Sequence, residues 1–579
     1  MKEMLKYYKP YIPIMLLIVA CLFGQALCEL ALPGYMSDII NGGIIKGDIN
    51  YIYKIGIIMI GVSLAVAIFS IGASFLASRV AAKTSKNIRR GLFRQVTDFS
   101  PAELEEFSTA SLITRSTNDV QTVQQSTVMI LRMACFAPIM GVGAIIKALR
   151  TSPSLSWTIG LAVLAILGIM LVAFVLVMPK FKVLQKKLDQ LNLIMGERLS
   201  GLLVIRAFTM EPFEESRFDD ANKDLNRLNT FVNRAMSFLM PALMLVMNLS
   251  SILIVWAGAK LIGANDLMIG DMMAFMQYAM QIIMSFLLIT MMFIMIPRAV
   301  VSGQRISKVL AVEPSIVDVE NCQEITNPEG TLEFNHVSFS YPDAMENTLT
   351  DISFTASPGK TTAIIGSTGS GKSSLISLIP RFYDVTQGEI LLDGKDIRQI
   401  SQHSLREEIG FVPQKGVLFS GTISSNLAYG KDNATDKEMA QSASIAQALD
   451  FIQTKPDGFE EPVAQGGNNI SGGQKQRLSI ARALIKEPKL LLFDDSFSAL
   501  DFKTDGVLRH ALKEEVKDAT IIIVAQRINT IMDAEQIVVL DDGEVAGIGT
   551  HQSLLSSCAV YREIASSQLS EEELERGRN

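Results

Sequence analysis

The stretch 361–374, TTAIIGSTGSGKSS, decides the architecture of the second half of the chain. It opens on β-branched and small apolar residues, the pattern of a buried strand, and runs directly into glycines and serines. Gly366, Ser367, Thr368, Gly369, Ser370, Gly371, Lys372, Ser373 and Ser374 meet the spacing G-x-x-x-x-G-K-[ST]. Glycine lets backbone N–H groups wrap phosphate oxygens, and Lys372 supplies positive charge. Ser373 is placed to reach a magnesium ion, and the helix starting there turns its positive end to the anion. Strand, loop and helix in that order predict a site for the phosphates of ATP, with Mg2+.

Downstream, 490–501 reads LLLFDDSFSALD, four apolar residues running into two acids and a polar turn. Asp494, closing that strand, is the natural carboxylate for the magnesium side of the loop. The runs LEFNHVSFSY, TIIIVAQR and EQIVVLDDGE are also β-rich and alternate with helices, so an α/β domain with a largely parallel core is expected. Tyr341, in FSYP, is either a platform for adenine or a structural residue at a strand end. Gln414, in FVPQ, puts an amide on a loop.

The first half has a different chemistry. The chain has 579 residues, 49% of them hydrophobic, too many for one domain and too apolar for an ordinary soluble enzyme. A formal charge of −7 leaves no footprint for nucleic acid, and five cysteines without CxxC spacing give no disulfide framework or zinc site. The opening MKEMLKYYKPYIP reads as an interfacial helix with tyrosines at headgroup level, not as a cleavable signal.

Crossing a bilayer takes about 20 apolar residues in helix. Runs 10–28, 55–78, 121–146, 151–179, 235–259 and 272–297 meet that requirement. The long connections 79–120 and 180–234 hold 17 Lys and Arg against five in the three short ones, which puts the long connections and both termini on the cytoplasmic side of a multi-pass cytoplasmic-membrane protein. Both long connections keep apolar residues at helical spacing, so the helices are expected to project past the bilayer. The expected organisation is a transmembrane domain of six helices at 1–297, a linker at 298–330, a nucleotide-binding domain at 331–568 and a charged tail at 569–579.

NISGGQKQRLSIARAL, at 469–484, carries Ser471, Gly472, Gly473 and Gln474, which from the residues alone read as a turn or as a helix start suited to phosphate. With the phosphate loop and LLLFDD, this segment resembles the signature of ATP-binding cassette (ABC) transporters. Six spans followed by one cassette resemble a half-size ABC exporter over essentially the whole chain. GLLVIRAFTMEPFEESRF and ITRSTNDV resemble its coupling loops. The resemblance implies two such halves dimerised, each ATP lying between one subunit's phosphate loop and the other's signature. It also implies that Tyr341 stacks adenine, that Gln414 senses magnesium beside Ser373 and Asp494 and links to the membrane arms, and that Asp501 lies at the dimer seam.

Two positions depart from the family pattern. Asp495 stands where the general-base glutamate is usual, and Gln526 where a histidine is usual. Aspartate is one methylene shorter, and a displacement of ~1 Å in a catalytic group costs about 10²-fold in rate. Gln526 still donates a hydrogen bond but carries no charge. By proton affinity alone Asp495 is an adequate base; only reach objects. AQGGNNISGGQ replaces the usual Gly-Glu-Arg-Gly run and leaves the segment around Gln465 open. These departures resemble the degenerate-site subunit of bacterial heterodimeric multidrug exporters, with the competent glutamate and histidine on a partner.

In the spans, Glu29 and Arg132 face either water, a partner or cargo on one reading, or the membrane edge on another. Thirteen methionines between Met236 and Met295 suit a wall for varied small amphipathic substrates, or ordinary bundle filling. Competing functions are a lipid or peptide exporter half and a membrane-embedded ATP-binding regulator or sensor.

Overall fold

The structure is a computed structural model describing residues 2–342 and 344–569; the tail 570–579 lies outside the described residues. It divides into two compact units, one ending at Thr97 and resuming over Thr109–Val312, the other made of Asp98–Ser108 and the chain from Glu313 onward.

The first unit is all helix. Among the described residues six helical stretches are long and apolar enough to cross a membrane: Glu3–Ile44, Ile49–Thr97, Thr109–Thr151, Pro153–Ser200, Glu211–Gly263 and Ile269–Thr290. Each of the six expected spans overlaps one of them, the last running past Thr290 within the same continuous helix. The second span's helix has 49 residues, or ~70 Å at 1.5 Å per residue, more than twice the ~30 Å of a hydrocarbon core, so it projects well past the bilayer. Ala26, Leu30, Ala144, Phe275, Tyr278 and Ile282 are buried against one another where the first, third and sixth spans meet. Ile57, Leu64, Leu164 and Leu171 stay exposed, as a surface solvated by lipid requires.

One sequence expectation is corrected here. The last helix does not stop at Pro297 but runs Ile269–Leu310, burying Ile306 and Val309 completely, so the segment expected as a linker from 298 begins as helix. Proline is tolerated inside long membrane helices because neighbouring groups take up the freed backbone acceptor. ITRSTNDV, which resembles a coupling loop, lies at the end of the long connection 79–120. Its residues Arg115–Asp119 form a π-helical turn in the rising third span, and the short helix between the spans is Pro101–Glu106.

In the second unit a six-stranded sheet runs, edge to edge, Glu544–Gly549, Gln536–Asp541, Thr361–Gly366, Thr520–Val524, Leu490–Asp494 and Ile409–Val412. All its pairings are parallel except that of the first two strands. Side chains alternate between two cores: Ala363, Ile365, Leu491, Phe493, Ile521 and Ile523 pack on one face, Ile364, Leu490, Leu492, Ile522 and Val524 on the other. Burial on both faces explains why these strands read as unbroken apolar runs. A second sheet of four strands holds Leu332–Phe339 and Leu349–Ala356 as an antiparallel pair.

Candidate nucleotide site

The strand Thr361–Gly366 delivers the phosphate loop at its carboxyl end, between the strands Gln536–Asp541 and Thr520–Val524. Gly369 and Gly371 take φ of 90° and 92°, the left-handed region that favours glycine, and Gly371 caps the helix Lys372–Leu378. Lys372 curls back onto this loop: its Nζ donates to the carbonyls of Gly366 at 2.9 Å and Ser367 at 2.5 Å and to Ser370 Oγ at 3.3 Å. Burial pulls the Lys372 ammonium below its ordinary pKa, against the opposing charges of Asp495 and Asp494. A phosphate would take over those hydrogen bonds and supply the negative charge that the buried ammonium lacks.

Two strands away, Asp494 closes Leu490–Asp494, and Ser373 Oγ donates to Asp494 Oδ1 at 3.1 Å. Burial pushes the Asp494 carboxyl up and the Asp495 charge adds to this, while Ser373 and Lys372 hold it down. A hydroxyl and a carboxylate meeting beside a phosphate loop are hard oxygen donors of the kind magnesium takes, with the remaining positions left to water and phosphate. Among the described residues no group of three His, Cys, Asp or Glu side chains is arranged to hold a metal without a nucleotide. The Ser373 hydroxyl and the Asp494 carboxylate fit a magnesium ion shared with a nucleotide's phosphates.

The next residue departs from that pattern. Asp495 is buried in the left-handed conformation at φ 45°, its N–H bound to the Val524 carbonyl at 2.9 Å. Aspartate is among the few non-glycine residues that adopt this backbone readily. Its Oδ2 accepts from Gln526 Nε2 at 3.0 Å and from Gln414 Nε2 at 3.3 Å. Gln414 is thus brought to Asp495, and no hydrogen bond ties it to Ser373 or Asp494 among the described residues.

Tyr341 is half-buried at the end of Leu332–Phe339. Its hydroxyl lies 2.9 Å from Ser374 Oγ, and its ring meets Phe339 and Tyr383 edge-on at 4.9 and 5.3 Å. Ser471 caps the helix Gly472–Leu484 through a reciprocal box with Gln474, at 3.4 and 3.3 Å. Ser471 and Gly472 are exposed, and a Cβ on Gly472 would meet nothing within 4 Å. Asp501 is exposed and caps Phe502–Glu515 by accepting from Thr504 N–H at 2.9 Å and Oγ1 at 2.8 Å, which holds its carboxyl below the ordinary range. The signature and Asp501 are therefore outward-facing helix starts, while the phosphate loop, Asp494, Asp495, Gln414 and Gln526 converge.

Sequence reasoning missed one residue that fixes the site, Gln568, and two that lie outside the phosphate cradle, Glu103 and Tyr383. Gln568, near the end of the described chain, donates to the Gln526 carbonyl at 2.8 Å and accepts from Ile528 N–H at 2.9 Å, clamping the loop that carries Gln526. Glu103, on the short helix Pro101–Glu106, accepts from Ser315 N–H at 3.0 Å and from Ser100 N–H at 2.7 Å. The Tyr383 phenol is pushed up to about 12 by burial and by the nearby charges of Glu105, Tyr341 and Glu103. Only Glu103 had a local signal, since S-x-x-E reads as a capping box.

Residues 15–286 match the family model described as ABC transporter transmembrane region, and residues 349–498 the one described as ABC transporter. The chain is 39% identical over 569 residues, 97% of each chain, to an ABC transporter ATP-binding protein of Mycobacterium tuberculosis. It is also 39% identical to the Bacillus subtilis ABC transporter ATP-binding protein YfiB, across 99% of both. To the probable multidrug resistance ABC transporter ATP-binding/permease protein YheI of the same organism it is 34% identical, over 83% of this chain and 82% of that one. The solved structure of a bacterial Atm1-family ABC exporter with ATP bound superposes with a TM-score of 0.80 at 25% identity, covering 97% of this chain and 99% of that one. The chain belongs to the ABC transporter family. It has the architecture of a half-size exporter, a multi-pass transmembrane unit followed by an ATP-binding cassette.

Proposed function

We propose that this chain is one half of a heterodimeric exporter of small amphipathic compounds, which binds Mg-ATP at a hydrolysis-impaired site and lends its signature to the partner's competent site. Lys372 and the loop from Gly366 to Ser374 hold the phosphates, Ser373 and Asp494 hold magnesium, and Tyr341 backs the adenine. Bound magnesium would neutralise phosphate charge. Ser471, Gly472, Gly473 and Gln474 face the partner's nucleotide, and Asp501 lies at the seam. Both termini are on the cytoplasmic side. The multidrug names of relatives such as YheI and the Bacillus subtilis protein YgaD, 31% identical, support the cargo class.

The observation that carries the impaired site is the double tether on Asp495. A short carboxylate fixed by two amide hydrogen bonds on Oδ2 keeps only Oδ1 for an attacking water and has to reach farther to orient it. Gln526 adds a donor without a charge, so the negative charge developing on the transferred phosphoryl group is less well stabilised.

Purification of the chain alone and together with the product of its neighbouring gene, followed by ATPase and vesicle-uptake assays, tests this reading. The pair should hydrolyse ATP and drive uptake of amphipathic dyes into inverted vesicles. A homodimer with brisk turnover contradicts the division of labour. Flux that survives deletion of this chain points instead to a regulator.

A further inference from the structure

The first and sixth spans are stitched together at one level. Tyr278 Oη donates to the Leu30 carbonyl at 3.2 Å, and Gln281 Nε2 reaches the Glu29 carbonyl at 3.4 Å. Apolar packing surrounds that stitch, with Ala26, Leu30, Ala279 and Ile282 all buried. Within it, Glu29 Oε2 and Gln281 Oε1 are each sealed from solvent without a hydrogen-bond partner among the described residues. Gln25, one turn before Glu29, is hydrogen-bonded to the same carboxyl. The Glu29 carboxyl thus has Gln25 as a donor, yet two acceptor atoms of the site, Glu29 Oε2 and Gln281 Oε1, stay unmatched. Unpaired acceptors at such depth are costly, and a carboxylate most of all, unless a cation or a donor arrives to match them.

Resting on the export reading, we propose that Glu29, with Gln25 and Gln281, forms a cargo subsite for amphipathic compounds that carry a protonated amine on an apolar body. The ammonium bridges the Glu29 carboxylate and the Gln281 carbonyl oxygen once the first and sixth spans part, and the apolar body then takes over the packing that now buries Ala26, Leu30, Ala279 and Ile282. A neutral alcohol has one O–H to offer two acceptors and no charge for the carboxylate, so the subsite discriminates by charge and hydrogen bonding rather than by shape.

The test uses 1-pyrenemethylamine and its neutral near-isostere 1-pyrenemethanol in inverted vesicles carrying the complete transporter, with equilibrium binding of both followed in detergent. Glu29→Gln should slow ATP-driven transport of the amine and weaken its binding by about 10-fold, the worth of one charge-assisted hydrogen bond, and leave the alcohol within about twofold. Glu29→Asp should recover part of the loss for the amine. Equal losses for both probes assign Glu29 to packing or to the partner subunit and overturn the subsite, as does no change for either. Pyrene-labelled phosphatidylethanolamine that flips with the same Glu29 dependence supports the site with a lipid amine as its source. If the wild type moves no probe with ATP, the export reading fails. The binding arm then still decides the subsite, because a 10-fold selective loss upholds it and equal affinities reject it.

Discussion

The phosphate loop and the loop that follows Asp494 lie at the carboxyl ends of two strands of one parallel sheet and are built differently. The first is set by backbone: glycines at φ near 90° and a lysine satisfied by its own loop leave a cradle that needs no rearrangement beyond the lysine head. The second is set by side chains, because Gln414 and Gln526 both draw on the one oxygen of Asp495. One cassette can therefore keep the residues that hold ATP while those that split it drift. On the proposed reading, binding and hydrolysis rest on neighbouring but separable residues.

The sharpest way to break this contrast is at Lys372. Lys372→Ala should weaken Mg-ATP binding by roughly 10²-fold, measured with a fluorescent ATP analogue, because it removes charge-assisted bonds to phosphate. Unchanged affinity would mean that the cradle is not the seat of binding. Asp495→Asn should next leave turnover within about threefold, whereas removal of a working general base costs ~10²–10⁴-fold. A large loss in single-turnover hydrolysis would show that Asp495 reaches its water after all.

Two smaller effects sharpen the comparison. Ser471→Ala removes the cap of Gly472–Leu484 and should cost about 1 kcal/mol, visible as a lower Tm without change in this chain's own ATP affinity. Glu103 gives a pH signature. Burial raises its carboxyl, but the hydrogen bonds from Ser100 and Ser315 outweigh this and hold it below its ordinary 4.5. Its contribution to stability is therefore fully present above about pH 4.5 and is lost as pH falls through the lower folded value. Glu103→Gln should flatten acid unfolding in that window, followed by circular dichroism, with little change in ATP binding.

How much of this was legible in the sequence follows the range of each interaction. The phosphate loop, Asp494 at its strand end and the six apolar spans were readable because strand, glycine turn and bilayer length each impose a local pattern. The signature from Ser471 to Gln474 needed family resemblance, since SGGQ alone is also a turn. Three features were not readable. The pairing of Gln414 with Asp495 spans 81 positions and the Gln568 clamp on Gln526 spans 42, and neither leaves a periodic trace. The helix through Pro297 was obscured because proline breaks helices in water far more surely than in a membrane bundle.

The most direct test of the central claim compares ATP turnover by the wild-type chain, purified alone with saturating Mg-ATP, with that of Asp495→Glu/Gln526→His. Restoring reach and charge together should raise turnover by about 10²-fold while ATP affinity stays within a few fold. A wild-type rate already equal to that of the double variant would contradict the account.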